Sequence, residues 1–538
     1  MKFELPKNLI LRAFSADEST KAVSHFESYP AQLLAYLNGD GASLVDNRDV
    51  ILSNFGCSGT RVMNYSGQWY NDTLAYTLAT EEADPDFAII GLGTNDSGYL
   101  ATCKGQIEHF RTLYIDLLSA FGSIPGIKQV YATTATYRQG SYGYGAVTAR
   151  GIQKAAVDAL SANSDKYTCI DLYALTLDKA LNGGFLSSDN LHPDAAGYGI
   201  YKDVLVDAIF RNHCTAENFE LTDLYVSDNG TNNALCSAEN PTNNLSIAIA
   251  KAAPNAVIHI VDTYSCTLPG SQYAVVLPAV NSLTLRGEGE NPTLKINGKY
   301  LLSQSELVLD NFTMTTTAGG SIMLQMGFYN ATLTETFSVP LTHKPMFCAG
   351  YVAFNGREED IYYNTAESVS ADRDCVIRVL GGSYSYFLGG NYCYRDGAPF
   401  GTYGGNMTLH IGKNVELSGF DYSGIVGMNY LTGTVTAQLD AWAEDVPVYE
   451  YATRGAAQAA NFNVAKNTGT VSVTLGDGIT NELVVMGDFD GDLQLTMRDT
   501  LILLKHLLNN NFDRSENYFA KTSISLLDVI ALLKRLAR

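Results

Sequence analysis

Three hydrophobic patterns follow one another along the 538 residues of this chain, and each favours a different fold. Residues 1–213 alternate short apolar runs with longer amphipathic runs, which is typical of βαβ units around a parallel sheet. Residues 214–482 carry short strand-like runs separated by turn residues, and residues 483–538 return to a helical pattern. The sequence therefore predicts a multidomain protein in which an α/β domain, an all-β domain and a small α-helical domain succeed one another.

Charge and composition argue against several kinds of partner. The net charge is −21, with 35 Lys and Arg against 56 Asp and Glu, whereas binding to nucleic acid needs a basic surface. No run reaches the roughly 18 apolar residues of a membrane span. The nine cysteines form no C-x-x-C pairs, which indicates neither a zinc site nor a dense disulfide framework.

A candidate acid–base pair stands near the end of the first region, in the run Asp189-Asn-Leu-His192-Pro. An Asp three residues before a His can accept the imidazole Nδ1–H and fix its tautomer. The Nε2 atom is then available as a general base. Such a pair is a weak signal when it is taken alone.

Two earlier turns follow apolar runs, as expected for the ends of strands. Asn95 comes after Gly91-Leu-Gly-Thr, where its side-chain N–H can be donated to a developing oxyanion. Gly59 follows another apolar run, and without a Cβ its backbone N–H can approach a ligand closely. Taken alone, each of these segments also suits an ordinary turn.

Taken together and in this order, the three segments resemble the SGNH (GDSL-type) hydrolases. The resemblance covers residues 1–213 and implies a three-layer α/β fold, a serine nucleophile and ester hydrolysis. It implies that Gly59 and Asn95 form the oxyanion hole and that Asp189 and His192 complete the catalytic triad.

The nucleophile block departs from the pattern of that family. Where the family carries Gly-Asp-Ser after its first strand, this chain has Ala13-Phe14-Ser15. The spacing to Ser28-Tyr29-Pro30, which looks like the start of the family's first helix, makes Ser15 the candidate. Ser19 and the absence of a working nucleophile are the alternatives. Since the loss of one oxyanion donor costs on the order of 10²–10³ in rate, we expect a slow or inactive enzyme.

The middle region has the pattern of a β-solenoid. Leu307 and Leu309 follow Leu283 and Leu285 at a step of 24 residues, which is close to one coil, although the step is not evident further on. A pair of packed β-sheets is the main alternative. A solenoid of this size resembles the pectate-lyase-like right-handed β-helices. Five aromatic residues are candidates for stacking either on sugar rings or within the solenoid: Tyr384, Tyr386, Phe387, Tyr392 and Tyr394.

A candidate calcium loop begins the last region. From Asp488 to Asp499, oxygen-bearing side chains recur at alternate positions ahead of a predicted helix, and such groups converge on one hard cation. The predicted Ca²⁺ ligands are Asp488, Asp490, Asp492, Gln494 and Asp499. A solvated acidic turn is the alternative. A second, related loop carries Lys521 at a ligand position, and its ammonium would repel Ca²⁺, so the sequence predicts one bound calcium ion.

The helical segments that begin at Asp499 and Asp528 match each other at an offset of 29 residues. With the calcium loop, this repeat resembles the dockerin module, which has EF-hand-like loops and here covers residues 483–538. The resemblance implies a cohesin domain of a scaffold protein as partner and an extracellular, scaffold-bound location, although no signal peptide is seen at the N-terminus. By resemblance, the partner-facing candidates are Met497, Arg498, Leu526 and Leu527. The helices also carry two apolar stripes, which we expect to pack on each other: Leu501, Leu504 and Leu508, and Val529, Leu532, Leu533 and Leu536.

These features favour a secreted carbohydrate esterase that deacetylates acetylated plant polysaccharide and is carried on a cellulosome-type scaffold. One alternative is a glycan-binding protein whose α/β domain has lost its nucleophile. Another is a polysaccharide lyase whose active site lies in the solenoid.

Overall fold

The structure is a computed structural model, and it describes the greater part of the chain. The described residues are 8–14, 27–57, 59–63, 69–81, 85–100, 107–139, 142–266, 274–276, 282–296, 300–303, 305–317, 322–350, 352–353, 371–389, 392–393, 403–417, 432–441, 470–477, 479, 489, 496–509, 526–527, 529–530 and 533.

The N-terminal region is built on a parallel sheet of five strands in the order β2-β1-β3-β4-β5. The strands are β1 (Asn8–Phe14), β2 (Asp49–Asn54), β3 (Phe87–Ile90), β4 (Gln129–Thr133) and β5 (Tyr167–Ile170). The predicted parallel α/β fold of this region is confirmed. The strand order changes direction between β1 and β3, and ligands in such sheets bind beyond the carboxyl ends of the strands at this point.

Helices cover both faces of this sheet. They are α1 (Tyr29–Leu37), α2 (Leu74–Glu81), α3 (Ser97–Leu100), α4 (Ile107–Gly122), α5 (Tyr142–Ser161), α6 (Leu172–Asn182) and α7 (Ala195–Phe210). The central strand β3 sends Ile89 into the cluster formed with α1 and α7, whereas Ala88 and Ile90 face the cluster formed with α4 and α5. This alternation is the two-residue period of a strand that is buried on both faces.

The middle region alternates along the chain between two further parallel sheets. The larger sheet contains β6 (Leu221–Thr231), β7 (Ala252–Cys266), β9 (Leu283–Ile296), β11 (Leu307–Asp310), β12 (Thr313–Thr316), β14 (Ala331–Leu333), β17 (Cys375–Tyr384), β20 (Asn406–Leu417), β21 (Thr434–Leu439) and β22 (Thr470–Leu475). The smaller sheet contains β8 (Ala274–Val276), β10 (Tyr300–Leu302), β13 (Met323–Gln325), β15 (Met346–Cys348) and β18 (Tyr386–Leu388), and β16 (Val352–Ala353) pairs with β19 (Tyr392–Cys393). All pairings between these strands are parallel, which does not fit the antiparallel sheets of a β-sandwich.

The 24-residue step found in the sequence is the offset between paired strands of the larger sheet. Leu307 and Leu309 pair with Leu283 and Leu285. The step continues for one more strand than the sequence indicated, because Ala331 pairs with Leu307. An alanine at that position gives a weaker hydrophobic signal than a leucine. Beyond it the offset between paired strands becomes 46, since Ala331 pairs with Ile377 across a long insertion.

Two of the aromatic residues in this region lie in its interior. Tyr384 and Phe387 are each 1% exposed and pack around Phe347, with ring centroids 6.1 and 4.7 Å away. Of the two predictions for these rings, stacking on sugars is therefore wrong and packing within the sheets is confirmed. The side chains of Tyr386, Tyr392 and Tyr394 lie outside the described residues.

The α/β region and the middle region share one hydrophobic cluster. Helix α8 (Leu245–Lys251), which joins β6 to β7, has all seven of its residues buried. Nη1 of Arg150 on α5 donates to the carbonyl oxygen of Ala250 at 2.7 Å, and its Nε and Nη2 donate to the carboxylate of Asp171. The hydroxyl of Tyr144 lies 2.6 Å from Sγ of Cys266 on β7.

The last region contains helix α9 (Met497–Asn509), where Leu504 of the expected stripe packs against the cluster that contains Val529, whereas Leu501 and Leu508 do not. Leu503, rather than Leu501 or Leu508, is buried, and it lies in a cluster with Val529. Leu501 and Leu508 are 60% and 77% exposed, and Leu533 is 37% exposed. At about 100° per residue, Leu501 and Leu508 lie on the side of the helix opposite Leu503.

No helix among the described residues is both long and apolar enough to cross a membrane. The free cysteines in the described part of the chain include Cys57, Cys169, Cys214, Cys236, Cys266 and Cys375.

Candidate active site

The segment between α6 and α7 brings Asp189 and His192 together. Gly183 and Gly184 adopt positive φ angles of 85° and 86° after α6, which favours glycine. A narrow turn follows, in which the Ser187 N–H donates to the His192 carbonyl at 2.7 Å. Oδ2 of Asp189 lies 2.6 Å from Nδ1 of His192, which is the contact that the D-x-x-H spacing predicts. The catalytic role of the pair stays a prediction.

The other carboxylate oxygen of Asp189 is held by its own loop. Oδ1 accepts hydrogen bonds from the Ser187 hydroxyl at 2.7 Å and from the backbone N–H groups of Leu191 and His192 at 2.8 and 3.0 Å. Burial opposes ionisation, but the hydrogen bonds from His192, Leu191 and Ser187 outweigh it and lower the pKa of Asp189 below its usual range. An ionised carboxylate is what an imidazole needs to keep its proton on Nδ1.

The Asp189–His192 pair is accessible to solvent. The side chains of Asp189 and His192 are 38% and 23% exposed. A substrate can therefore approach the imidazole, which a fully buried His–Asp pair would not permit.

The two candidate oxyanion residues follow β2 and β3, the strands on either side of β1. Asn95 lies after β3, and its Nδ2 donates to the Thr60 carbonyl at 3.1 Å. Gly59 lies after β2 with a φ of 74°. The structure thus brings the segment of Gly59 next to that of Asn95, although whether they bind an oxyanion stays a prediction.

One residue of this arrangement was missed by the sequence reasoning, although it follows Asn95 directly. Asp96 is fully buried. Its Oδ1 accepts the Met63 N–H at 2.9 Å and its Oδ2 accepts the Val62 N–H at 3.1 Å. An Asp after an Asn in a turn gave no sign that its carboxylate would be buried, since that depends on a loop more than 30 residues earlier.

Glycine at position 93 lets this turn lie close to helix α5. Gly93 has a φ of 112°, and a Cβ there would lie 2.6 Å from Nε2 of Gln153. The side-chain amide of buried Gln153 donates to the Leu92 carbonyl and accepts the Ala135 N–H, both at 2.8 Å. A single side chain on α5 therefore connects the loops after β3 and β4.

The candidate nucleophiles lie outside the described residues. This applies to both Ser15 and Ser19. Strand β1 ends at Phe14, whose partner in the register is Ile90, the last residue of β3. The residue before Ser15 is therefore at the carboxyl edge of the sheet, beside the strand that leads to Asn95.

Only part of the predicted calcium site falls within the described residues. Asp488, Asp490, Asp492 and Gln494 lie outside them. Asp499 is fully buried at the start of α9, and its carboxylate accepts the N–H groups of Phe489 at 2.7 Å and of Thr496 at 2.6 Å. Its oxygens thus face the predicted loop, and they belong to the donor class that calcium takes. Among the described residues, no group of three or more His, Cys, Asp or Glu side chains could hold a metal ion.

All four residues predicted to face a partner are exposed. Met497, Leu526 and Leu527 are 53%, 61% and 74% exposed, and Arg498 is also exposed.

This region thus combines a parallel α/β sheet with a partly exposed His–Asp pair. The model of the GDSL-like Lipase/Acylhydrolase family matches residues 16–200, which is less than half of the chain. This part of the chain is therefore similar to that family. The match begins one residue after Ser15 and includes Ser19, Gly59, Asn95, Asp189 and His192. No curated protein matches the sequence.

Several solved structures align with the chain at low similarity. A member of the lipolytic G-D-S-L family from Veillonella parvula is 16% identical and aligns over 38% of this chain and 98% of its own, with a TM-score of 0.29. A variant of an acetyl-xylooligosaccharide esterase from Geobacillus stearothermophilus is 17% identical over 38% of this chain and 95% of its own, with a TM-score of 0.28. A family two carbohydrate esterase from Clostridium thermocellum is 18% identical over 38% of this chain and 63% of its own, with a TM-score of 0.27.

Proposed function

We propose that the α/β region is a serine esterase that removes acetyl groups from a polysaccharide. The observation that carries the proposal is the hydrogen bond of 2.6 Å between Asp189 and Nδ1 of a partly exposed His192. The family match over residues 16–200 supports the same reaction class, because lipases and acylhydrolases cleave ester bonds.

In the proposed mechanism, the Ser15 hydroxyl attacks the ester carbonyl while Nε2 of His192 accepts its proton. His192 then returns the proton to the leaving alcohol, and water repeats the sequence on the acyl-enzyme. Asp189 keeps the imidazole in the required tautomer. The negative charge on the carbonyl oxygen is met by the N–H of Gly59 and the side-chain amide of Asn95.

Serine-to-alanine variants of the full chain test this proposal. We expect Ser15→Ala to abolish hydrolysis of p-nitrophenyl acetate and of acetylated xylan, and Ser19→Ala to leave both unchanged. The reverse result would move the nucleophile to Ser19, which lies within the family match. If the parent protein hydrolysed neither ester, the proposal would be wrong and the α/β region would be non-catalytic.

We further propose that the last region is a calcium-binding dockerin that attaches the enzyme to a cohesin domain on a scaffold outside the cell. Seven of the twelve large hydrophobic side chains that are exposed among the described residues lie between Met497 and Leu533. On α9, Met497, Leu501 and Leu508 project to one side at helical spacing. An apolar patch of this kind favours a protein partner.

A charged substitution in this patch tests the attachment. We expect Leu527→Asp to weaken binding to cohesin-bearing scaffold fragments at least tenfold, whereas Leu341→Asp, at an exposed leucine of the middle region, leaves binding unchanged. Titration should give one calcium ion per chain, and chelation should abolish binding. Equal binding by both variants would contradict the proposal.

For the middle region we propose a right-handed β-helix that binds the polysaccharide and holds it near the esterase. A polar cavity of about 350 Å³ crosses β7, β9, β11, β14 and β17, and its lining includes Thr284, Glu306, Asn330 and Arg378. Arg378→Ala is expected to reduce retention of the protein in gels that contain acetylated xylan or pectin. Unsaturated uronate released from pectin would instead point to lyase activity.

A further inference from the structure

Two adjacent residues tie a loop to the end of β3 at the oxyanion side of the candidate site. The side chain of Asn95 donates to the carbonyl of Thr60, and the carboxylate of Asp96 accepts the N–H groups of Val62 and Met63. Segment 60–63 is therefore held by three hydrogen bonds from two consecutive side chains. Gly59 directly precedes this segment, so the same bonds set where its N–H group points.

Holding this loop with a buried carboxylate costs free energy. A carboxylate that loses its water disfavours its charged form unless its surroundings compensate. Burial raises the pKa of Asp96 to about 6, although the N–H groups of Met63 and Val62 and the charge of Arg61 act in the opposite direction. Asp96 in turn adds to the effect of burial in raising the pKa of the Tyr114 hydroxyl on α4.

We propose that Asp96 is a positioning residue that holds Gly59 and Asn95 in the oxyanion arrangement only while its carboxylate is ionised, so that its protonation slows ester hydrolysis. The inference rests on the proposed esterase function. Protonation replaces one acceptor oxygen with a hydroxyl, which faces a backbone N–H that also needs an acceptor. One of the three hydrogen bonds that hold segment 60–63 is then lost, and the segment is held less firmly to the turn after β3.

This role of Asp96 predicts that the esterase activity and the free energy of unfolding change in opposite directions with pH. Because the pKa of Asp96 is raised in the folded state, its protonated form stabilises the fold, and this stabilisation is lost as the pH rises through about 6. The ionised form, which positions the loop, is the less stable one. Activity that depends on Asp96 is therefore expected to rise over the pH range in which its stabilising contribution falls.

The test uses the full chain and two matched substitutions. Asp96→Asn supplies a neutral side chain of the same shape. Asp86→Asn is the control, because Asp86 is also buried, at 4% exposure, but lies at the other end of β3 and pairs with Lys128. The measurements are kcat/KM for p-nitrophenyl acetate and the hydrogen-exchange protection of the Val62 and Met63 amides, both from pH 4.5 to 8.

Below pH 6, we expect the slope of log kcat/KM against pH to be greater by one in the parent and in Asp86→Asn than in Asp96→Asn, because only the first two must also lose the proton of Asp96. In Asp96→Asn the activity at pH 7.5 should also drop at least tenfold. Protection of the two amides should fall about tenfold between pH 7 and pH 5 in the parent and be low throughout in Asp96→Asn.

Each other outcome is decisive. Equal slopes in the parent and in Asp96→Asn overturn the inference even if the protein is an esterase. A parent that is inactive at every pH overturns the esterase function and with it the catalytic part of the inference. The amide protection of the parent then still decides whether the loop is held by an ionised Asp96.

Discussion

The loop of Asp189 and the loops around Asp96 both hold a carboxylate by two backbone N–H groups, yet they differ in their access to water. Asp189 is partly exposed and also bonds to His192 and Ser187, so its pKa is lowered. Asp96 is fully buried, and burial raises its pKa to about 6 despite similar hydrogen bonds. The difference teaches that hydrogen bonds alone do not fix the charge of a carboxylate, because desolvation can outweigh them.

The largest effect on activity is expected for Asp189, the partly exposed carboxylate. Asp189→Asn should reduce kcat by about 10⁴, because an amide can donate to Nδ1 and thereby favours the wrong tautomer of His192. The measurement is kcat for p-nitrophenyl acetate at pH 7.5. Asp203→Asn, which changes an exposed carboxylate paired with Lys202 on α7, is the control. A decrease of less than tenfold in Asp189→Asn would mean that Asp189 does not orient a catalytic base.

On the oxyanion side, Asn95→Ala should lower kcat by on the order of 10²–10³ with little change in KM, because an oxyanion donor acts in the transition state. Thr94→Ala, in the same turn, controls for disturbance of the loop. If KM rose and kcat stayed constant, Asn95 would contact the bound substrate and not the oxyanion.

The two carboxylates should also contribute to stability with opposite dependence on pH. A lowered pKa stabilises the fold above the unfolded value of about 3.9, and this contribution is lost as the pH falls below it. For Asp96, the rise from 3.8 to about 6 corresponds to roughly 3 kcal/mol that stabilises the protein at low pH and is lost above pH 6. Urea unfolding from pH 3 to 8 should therefore show Asp96→Asn gaining on the parent as the pH rises, and Asp189→Asn gaining as it falls. If the free energy of unfolding changed with pH in the same way in both variants, the surroundings of the two carboxylates would be alike.

The smallest effect is expected for Ser187→Ala. It removes one of the hydrogen bonds to Asp189, which is worth about 1 kcal/mol or a tenfold change at most. The pKa of Asp189 should rise slightly, and kcat should fall by two- to tenfold. Ser123→Ala, at an exposed helix end, should have no effect. A loss as large as that of Asp189→Asn would assign Ser187 a direct part in the reaction.

The sequence predicted the local parts of this molecule better than those that depend on distant contacts. The Asp189–His192 contact was predictable because both residues lie on one loop three positions apart. The burial of Asp96 was not, because it depends on the backbone of Val62 and Met63. In the same way, the 24-residue step of Leu283 and Leu307 could be read from the chain.

Other features could not be read because one pattern allows two packings. The rings of Tyr384 and Phe387 suited either a sugar platform or an interior, and only the pairing of the strands decides between them. Leu501 and Leu508 of α9 were assigned to the wrong side, since they fit a helical stripe with Leu504 as well as the buried Leu503 does with Leu504 and Leu507. A stripe shows that a helix has an apolar side but does not identify what covers it.

The helix α8, with no residue open to solvent, has a consequence for how the chain can be cut or recombined. A break near residue 213 would leave the apolar contacts of Tyr144 and the guanidinium of Arg150 without their partners on the other side. Each fragment would then expose an apolar surface and aggregate. The two regions are therefore expected to unfold in a single cooperative transition, even though their parallel sheets are separate.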